Sequence, residues 1–374
     1  MDMIESSAEV DFRKGLRKFL SEELPQDLRH ASTFAGRLEA DRVLSRGGYL
    51  GYTWPEQFGG QGGSPAISAI LDEERALAGI PSAKSPSRFG VNLLGPTLMT
   101  HGTPEQLDEF LPPIPRAETI WCQGFSEPDS GSDLASVRAS LSDRGDHYVV
   151  NGNKTWTTLA NHADWCYALV RSQPDAPRHR NLAFVLFDMR QPGVDVRPMV
   201  QTTGASEFNE MFLTDVRVEK RHVVGAVDEG WRVALTVLNT ERSYGQLSRF
   251  RQYEAELRRL SALIARSDPA KPEWRARLVS LSAHITGIRN ISYKITSTAE
   301  AGEDLGALAS VAKLLWSTTH QSLADLGYEV AMETGEDAEY WLNLELETRA
   351  ESIYAGTSEI QRNIVAERLL GLPR

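Results

Sequence analysis

The chain has 374 residues, of which 41% are hydrophobic and 24% charged, and its formal net charge is −11. This composition is typical of a globular protein, and the length suits two or three domains of roughly 100–200 residues each. The negative charge argues against a nucleic-acid partner, whose phosphates would repel such a surface. No apolar run approaches the ~20 residues that cross a bilayer. The segment from Met1 to Asp11 lacks an apolar signal core, so we expect a cytoplasmic protein with no membrane partner.

Two cysteines, Cys122 and Cys166, lie in apolar runs without C-x-x-C spacing. This usage indicates reduced structural thiols rather than a disulfide framework or a zinc site. His162 precedes Cys166 by four residues, but no further ligand accompanies the pair. A structural role is therefore predicted for these residues, and no metal site is predicted.

The first part of the chain, up to about Pro112, has helical periodicity. A first helix ends before Pro25, and its apolar face consists of Phe12, Leu16, Phe19 and Leu20. A second helix is predicted over Ile67 to Leu77, after a glycine-rich stretch from Gly59 to Pro65. That stretch lacks G-x-G-x-x-G spacing, because Pro65 falls where the third glycine would be, and a turn is predicted.

From about Trp121 to Val227 the apolar period shortens to that of β-strands. The predicted strands are rich in β-branched and aromatic residues and cover His147–Val150, Tyr167–Val170, Leu182–Asp188 and Met211–Val218. Asn-Gly, Pro-Asp and Pro-Gly pairs separate them, as is typical of turns. The sequence therefore predicts a small all-β module in the middle of the chain.

After Gly230 the helical period returns, and breaks near Asp268–Pro272, Gly302–Gly306 and Gly335 divide it into about four long helices. Short connections of this kind favour an antiparallel bundle. One apolar face is predicted from Trp231, Leu235 and Leu238, and another from Leu278, Leu281, Ile285 and Ile288. A solvated face is predicted from Arg249, Arg251, Arg258 and Arg259, which alternate with Glu254 and Glu256.

Three sequence blocks go beyond periodicity. Residues 125–133 read F-S-E-P-D-S-G-S-D and resemble the T-E-P-x-x-G-S-D signature of acyl-CoA dehydrogenases. Residues 151–158, N-G-N-K-T-W-T-T, resemble that family's N-G-x-K-x-W-I-T strand, and residues 354–362, Y-A-G-T-S-E-I-Q-R, its closing Y-x-G-T-x-x-I-Q-R. The W-P-E-Q-F-G-G stretch at residues 54–60 is similar to the family's N-terminal turn. The blocks occur in the family's order and cover nearly the whole chain.

The resemblance implies an α+β fold of the acyl-CoA dehydrogenase type. Its parts would be a helical N-terminal domain at residues 1–118, a small middle β-barrel domain at 119–228 and a C-terminal four-helix bundle at 229–374. In this family FAD lies with its isoalloxazine ring between the β module and the bundle. The resemblance thus implies FAD as the cofactor and an acyl-CoA as the substrate.

The resemblance also implies which residues contact FAD. Ser126 takes the place of a threonine that hydrogen-bonds the flavin, and backbone groups of Phe125 and Ser126 would contact its pyrimidine edge. Trp156 would pack on the ring, and Thr158 would form a hydrogen bond near N5. Ser132 would approach the pyrophosphate, and Thr357 and Glu359 the adenosine half. Taken singly, Trp156 could equally be an ordinary strand aromatic and Ser126 an ordinary turn residue.

The family's reaction needs a carboxylate that removes the proton α to the thioester. Many members place this glutamate directly before the glycine of Y-E-G-T, but the chain has Ala355 there. A minority carry the base before an arginine on the first bundle helix, and Glu241-Arg242 stands at the matching place, which implies Glu241 as the base. The alternative is that Glu241 belongs to a solvated polar stretch. The backbone N–H of Ala355 could still bind the thioester oxygen.

A second departure concerns the assembly. Homotetrameric members lend each neighbour an R-x-x-F-G turn and a Q-x-x-G-G-x-G helix end, and the chain has neither at Arg266–Trp274 or Gln321–Met332. Bacterial two-subunit members, including steroid side-chain enzymes of actinobacteria, resemble it in this respect. We therefore expect an α2β2 heterotetramer with a second acyl-CoA dehydrogenase-like subunit and an electron-transferring flavoprotein as electron acceptor.

Two other functions are compatible with the sequence. Loss of the usual glutamate also suits a flavin-dependent monooxygenase on the same fold, although Glu241 speaks against it. A non-catalytic partner subunit is the other alternative, and the set Ser126, Trp156, Thr158 and Thr357 argues against it. The acyl group stays open between fatty, branched and steroid chains, and the carrier between CoA and a carrier protein.

Overall fold

The computed structural model describes residues 5–173, 175–244, 248–266 and 271–373. Compactness groups the chain into two units. The sheet unit comprises Phe19–Gly63 and Ser82–Glu241, and the bundle unit comprises Met1–Lys18, Ser64–Pro81 and Arg242–Arg374. This grouping does not test the three domain boundaries, which stay a prediction. None of the described helices combines the length and the apolar character that a membrane span needs.

The early helical region is confirmed, and the first predicted helix ends before Pro25 as expected. Leu16 and Leu20 of the predicted apolar face are buried. The α-helices that the structure describes in this region are α1 (Ser7–Glu23), α2 (Phe34–Arg46), α3 (Pro65–Leu77), α4 (Gly95–His101) and α5 (Pro104–Phe110). The predicted turn at Gly59 is also present: Gly59 has φ +88°, and a Cβ on Gly60 would lie 1.9 Å from the Trp54 carbonyl oxygen.

One eight-stranded sheet forms the middle of the chain. Its strands are β1 (Trp121–Gly124), β2 (Ser140–Asp143), β3 (His147–Thr158), β4 (Trp165–Arg171), β5 (Leu182–Asp188), β6 (Val194–Met199), β7 (Phe208–Glu219) and β8 (Val223–Val224). The pairing order is β6-β7-β3-β2-β4-β5-β8, and β1 pairs with β4 in parallel. All four predicted strands are confirmed. The four that periodicity missed are short or, like β6, alternate weakly between apolar and polar residues.

The two faces of the sheet carry different side chains, because successive residues of a strand point to opposite sides. On β4, Cys166, Ala168 and Val170 join one hydrophobic core cluster together with Cys122 of β1. The alternate residue Tyr167 belongs to an aromatic group on the other side. Both cysteines are buried and free, and burial raises the pKa of Cys122 well above its usual value. Their predicted role as structural thiols fits these positions.

The C-terminal region is helical, as predicted. Its helices are α6 (Gly230–Tyr244), α7 (Arg249–Arg266), α8 (Pro272–Glu300), α9 (Leu308–Thr334), α10 (Ala338–Thr348) and α11 (Ser358–Arg368). On α8 the predicted apolar face is confirmed, since Leu281, Ile285 and Ile288 are buried. On α6 the prediction is wrong: Val233, Ala234 and Val237 are buried, whereas Leu235 is exposed.

The prediction of a solvated basic face on α7 is wrong in part: Arg258 and Arg259 are exposed, whereas Arg249, Arg251 and Glu256 are packed against neighbouring elements. Arg251 Nη2 lies 2.8 Å from Glu73 Oε2 of α3, and the Arg249 guanidinium lies 4.1 Å from the centre of the Trp316 indole. Arg259 pairs with Asp337 at 2.9 Å, and Glu256 is buried. Alternating charges along a helix therefore do not distinguish a wet face from one that is paired with neighbouring helices.

The supposed helix end at Gln321–Met332 lies inside α9, which continues to Thr334 and ends at Gly335 with φ +73°. Gly327 serves packing instead: a Cβ there would lie 1.9 Å from Cε3 of the buried Trp341. The bundle thus uses this glycine to bring α9 against the indole of α10. The other segment, Arg266–Trp274, is where homotetrameric members have the R-x-x-F-G turn. Its residues 267–270 lie outside the described residues.

Replacing Gly327 should therefore destabilise the bundle although alanine favours helices. We expect Gly327→Ala to lower the free energy of unfolding by about 1–3 kcal/mol, because Trp341 must move. Gly287→Ala on α8 is the matched control, since its Cβ would meet only Leu315 Cδ2 at 3.6 Å. The control should be neutral or gain roughly 0.5–1 kcal/mol. Urea unfolding measures both, and equal stabilities of the two variants would contradict the packing role.

The bundle core contains a histidine between two carboxylates. His320 Nε2 lies 2.8 Å from Glu256 Oε2, and Nδ1 lies 2.8 Å from Glu351 Oε1. All three side chains are at most 7% exposed. Burial lowers the pKa of His320, but the hydrogen bonds and charges of Glu256 and Glu351 outweigh it and raise the pKa from 6.5 to about 9. The buried imidazole is therefore charged at neutral pH.

This raised pKa makes the stability pH-dependent in a definite direction. Because the pKa of His320 is higher in the folded state, the protonated histidine stabilises the fold. This contribution is fully present below the unfolded pKa of 6.5 and is lost as the pH rises through about 9. The contribution is on the order of 3 kcal/mol. Burial lowers the pKa of Lys313 to about 8, which acts in the opposite direction at higher pH. The quantity to measure is therefore the difference between wild type and His320→Gln in urea unfolding from about pH 6 to about pH 10; a pH-independent difference would contradict the assignment.

Candidate active site

A buried ion pair anchors the loop that follows β1. Lys154 of β3 is fully buried, and its Nζ donates to Glu127 Oε1 at 2.8 Å, to the Leu169 carbonyl at 2.7 Å and to the Phe125 carbonyl at 3.2 Å. The three ammonium hydrogens thus have three acceptors. Burial lowers the pKa of Lys154, and Glu127 opposes this effect. The loop position is consequently tied to the strand by a charge that has no access to water.

The same loop is fixed by backbone bonds. Glu127 and Ser130 exchange both backbone hydrogen bonds at 3.0 Å, which closes a tight turn. The Glu127 carboxylate also accepts from the backbone N–H groups of Arg138 and Ala139 at 2.6 and 2.9 Å. Thr155 N donates to the Ser126 carbonyl at 2.9 Å. Ser126 therefore lies beside β3 with its backbone N–H and its half-buried side chain outside this set of bonds.

Trp156 is not an ordinary strand residue. It has φ +58°, a left-handed conformation that is uncommon for a bulky side chain, and lies in a register shift between β3 and β7. Its indole is 58% exposed and touches the edge of Phe208 with ring centres 5.8 Å apart. The bulge therefore turns a large flat aromatic surface outward, two residues after the anchored Lys154.

Thr158 and Ser132 occupy the remaining predicted positions of the sheet unit. Thr158 is half-buried at the end of β3, opposite Phe208 of β7. Ser132 is exposed in the loop before Leu134–Ser136, where Asp133 pairs with Arg178. Ser126, Trp156 and Thr158 are thus brought to one end of β3, and Ser132 lies further along the loop that Glu127 begins.

Glu241 lies near the end of α6 and is half-buried. Burial, and next the negative charge of Glu241, raise the pKa of Tyr167 well above its usual value. Burial lowers the pKa of Arg88, which the charges of Glu207 and Glu241 oppose. Tyr167 is fully buried, donates to Gln123 Oε1 at 2.9 Å and touches Phe125 with ring centres 6.0 Å apart. Glu241 is therefore not a residue of a purely solvated stretch.

In the bundle unit, a strained loop precedes α11. Ala355 has φ +53° and Gly356 φ +86°, and Gln361 Nε2 donates to the Ala355 carbonyl at 2.8 Å. Thr357 caps α11, with its Oγ1 accepting from Ile360 N at 3.3 Å, and its hydroxyl also forms a side-chain hydrogen bond with Glu359. Glu359 is exposed in the first turn of that helix. The Ala355 N–H thus belongs to a backbone that is held in an unfavourable conformation.

Sequence reasoning missed several residues that build this site. Lys154 and Glu127 stand inside two of the quoted motifs, but nothing in the polar run N-G-N-K-T-W-T-T indicates that the lysine is buried. Gln361 also lies in a quoted motif, but its bond to Ala355 depends on the left-handed backbone. From the sequence, Tyr167 is predicted only to lie in a strand.

The geometry fits a flavin. An exposed indole suits stacking against a flat ring, and Ser126 and Thr158 add hydroxyl groups at the same end of β3. The exposed Ser132 stands in a loop that can approach an anionic group. The donor and aromatic set expected from the motifs is therefore present in the folded chain.

Comparison with known proteins assigns the family. Models of the acyl-CoA dehydrogenase N-terminal, middle and C-terminal domains match residues 6–118, 122–216 and 228–370. The chain therefore belongs to the acyl-CoA dehydrogenases, a flavoprotein-dependent family of oxidoreductases. The predicted family and fold class are confirmed.

Individual relatives are similar over the full length. Acyl-CoA dehydrogenase IpdE1 of Mycobacterium tuberculosis is 40% identical over 380 residues, 97% of this chain and 98% of the relative. The solved structure titled Tcur3481-Tcur3483 steroid ACAD superposes with a TM-score of 0.89 at 29% identity, covering 100% of both chains. The ChsE4-ChsE5 complex from M. tuberculosis gives 0.88 at 26% identity, also over 100% of both.

Breaking the buried pair should destabilise the sheet unit strongly. Lys154→Met leaves the Glu127 carboxylate buried without its cation, and we expect a loss of about 3–5 kcal/mol in the free energy of unfolding. Lys220→Met is the matched control, because Lys220 and Asp143 form an exposed pair at 3.1 Å that is worth less than ~1 kcal/mol.

Urea unfolding of both variants tests this expectation. The double variant Lys154→Met with Glu127→Gln should recover part of the loss, since no buried charge is then left unpaired. A Lys154→Met effect no larger than that of the control would show that the pair does not hold the loop.

Proposed function

We propose that this chain is the FAD-binding, catalytic subunit of an acyl-CoA dehydrogenase that converts an acyl-CoA thioester to its α,β-enoyl-CoA. The observation that supports this most is a series of interactions within the sheet unit, the first electrostatic and the second a ring contact. Glu241 acts electrostatically on Tyr167, and the Tyr167 ring touches Phe125, the residue before Ser126. The candidate base is thus connected through one tyrosine to the loop that would hold the flavin.

FAD, when bound, supplies the acceptor for the hydride that leaves the β carbon. The indole of Trp156 would stack on its ring, and Ser126 and Thr158 would donate hydrogen bonds to it. The groups proposed to bind the cofactor are Phe125, Ser126, Ser132, Trp156, Thr158, Thr357 and Glu359.

Two groups of the chain would act on the substrate directly. The carboxylate of Glu241 takes the proton from the carbon α to the thioester, so the negative charge that develops on the thioester oxygen needs a donor. The backbone N–H of Ala355 is proposed as that donor, a role that needs no side chain. Other members carry the catalytic carboxylate at the loop position of Ala355. In this chain the carboxylate of Glu241 on α6 would take its place.

We further propose that a second, related subunit completes the flavin site in an α2β2 assembly and that an electron-transferring flavoprotein accepts the electrons. Absence of the R-x-x-F-G and Q-x-x-G-G-x-G motifs from the sequence supports the first point. Two of the similar solved structures are named as pairs of gene products. Glycine is sparse at the true end of α9, where Gly335 stands alone between Ala331 and Ala338.

A ring-bearing acyl group is the proposed substrate class. One similar structure is titled a steroid ACAD. Ala355 carries only a methyl group where other members have a glutamate, which leaves space for a bulky acyl chain. Straight-chain and branched acyl-CoAs are the comparison substrates.

The decisive measurement is anaerobic titration of the FAD-loaded protein with straight, branched and ring-bearing acyl-CoAs while flavin absorbance is followed. We expect bleaching in wild type and at least a ~10²-fold slower reaction in Glu241→Gln, because the amide cannot accept the proton. Glu229→Gln is the matched control, since the Glu229 side chain is 41% exposed and pairs with Arg232 at 2.9 Å. Equal rates in both variants would rule out Glu241 as the base.

Two further arms separate the alternatives. Failure of the loaded protein to bleach, together with NADH-dependent oxygen uptake, would favour a flavin-dependent monooxygenase. Expression alone and with neighbouring gene products tests the assembly: full flavin occupancy in a homo-oligomer would contradict α2β2. No flavin binding in any complex would leave a non-catalytic partner subunit.

A further inference from the structure

The loop that carries Ala355 is held by two helices of the bundle unit. From α9, Lys313 Nζ donates to the Glu351 carbonyl at 2.7 Å, and Gln321 Nε2 to the Thr348 carbonyl at 2.9 Å. From α11, Gln361 Nε2 donates to the Ala355 carbonyl at 2.8 Å. The short helical turn Arg349–Ser352 and the residues after it are therefore fixed from both sides.

His320 adds a charged connection to this turn. Its Nδ1 lies 2.8 Å from Glu351 Oε1 and its Nε2 lies 2.8 Å from Glu256 Oε2. Since a carboxylate only accepts, both ring nitrogens carry a hydrogen, and the imidazole is a cation that joins α7 to the turn. Gln252 Nε2 donates to the other oxygen of Glu256 at 2.8 Å, which orients that carboxylate in turn.

Other side chains surround His320 and Glu351 and restrict their movement. The Tyr253 ring centre lies 4.1 Å from that of His320, and Arg249 Nη1 lies 3.5 Å from Glu351 Oε1. Arg249 is itself packed on Trp316 of α9. Glu351 is therefore placed by a histidine, an arginine and its own carbonyl bond, four residues before Ala355.

The loop needs such support because its backbone is strained. Ala355 has φ +53° and Gly356 φ +86°, and an L-residue avoids this left-handed region unless its surroundings impose it. Between Glu351 and Ala355, Ile353 is exposed, whereas Tyr354 donates its backbone N–H to the Ala350 carbonyl at 3.0 Å and its ring centre lies 6.3 Å from that of Trp316. The conformation of Ala355 thus depends on anchors at residues 351, 354 and 361.

We propose that His320 is a positioning residue of the dehydrogenase: bound between Glu256 and Glu351, it holds the turn before Ala355 so that the Ala355 N–H is directed at the thioester oxygen. The proposal rests on the proposed function, because the thioester oxygen that the Ala355 N–H would bind belongs to the acyl-CoA substrate proposed above. His320 itself touches no substrate. It acts through Glu351 and the backbone of the loop.

The test uses His320→Gln, which removes the charge and replaces the two donor nitrogens by one amide nitrogen and an oxygen that can only accept. His284→Gln is the matched control, since His284 is exposed on α8 of the same bundle. Glu351→Gln is the second variant, because its amide oxygen can still accept from His320 and the fold is disturbed less. The proteins are compared in the assembly in which they are isolated, loaded with FAD.

The first readout is amide hydrogen exchange of the peptide Ile353–Thr357, which needs no substrate. We expect exchange to rise about tenfold or more in His320→Gln, less in Glu351→Gln and not at all in His284→Gln. Unchanged exchange in both His320→Gln and Glu351→Gln would overturn the proposal. A rise that is equal throughout α8, α9 and the loop would indicate general loosening and would also overturn it.

The second readout is the split between kcat and KM with the acyl-CoA that reduces wild type. A hydrogen bond from the Ala355 N–H to the developing oxyanion is stronger in the transition state than in the ground state. In His320→Gln, kcat should therefore fall by about 10- to 100-fold while KM changes less than ~3-fold. Equal kcat values in His320→Gln and wild type would overturn this proposal alone. Failure of wild type to react with any acyl-CoA would instead refute the proposed function, and this proposal with it.

Discussion

The buried pair of Lys154 and Glu127 is the interaction on which the candidate flavin site depends. An ammonium group without water is unfavourable by several kcal/mol unless every hydrogen finds an acceptor, and here each one does. Two of the acceptors, the Phe125 carbonyl and the Glu127 carboxylate, belong to the loop after β1. The loop therefore has one position relative to β3. Ser126 of the loop and Trp156 of β3 are thereby held in fixed positions relative to each other.

The two sets of site residues use the same device, although they belong to different units of the chain. Trp156 and Ala355 are both non-glycine residues with φ between +50° and +60°, a conformation that costs roughly 1–3 kcal/mol each. Each follows a buried charge pair, Lys154 with Glu127 and His320 with Glu351, within a few residues. A strained backbone persists only where its surroundings over-determine it, and these pairs supply that constraint.

The sequence was sufficient for the family, the order of elements and the long strands, because motifs and periodicity are local properties of a chain. It was insufficient for the His320 network, whose carboxylates are 64 and 31 residues distant and lie in helices that periodicity cannot place side by side. The same limit explains why Arg249, Arg251 and Glu256 on α7 were wrongly predicted as solvated and why the apolar face predicted on α6 is wrong. A charge pattern shows which residues alternate, whereas burial depends on which helix lies opposite.

The environment of Glu241 bears on which group takes the substrate proton. Tyr167 is the neighbouring acid, but burial and the charge of Glu241 raise its pKa well above the usual value, and its O–H is already donated to Gln123. A tyrosine in that state cannot serve as a base near neutral pH. Arg88, in contrast, interacts favourably with the charged form of Glu241. The tyrosine is therefore kept neutral, and Glu241 stays the residue proposed as the base.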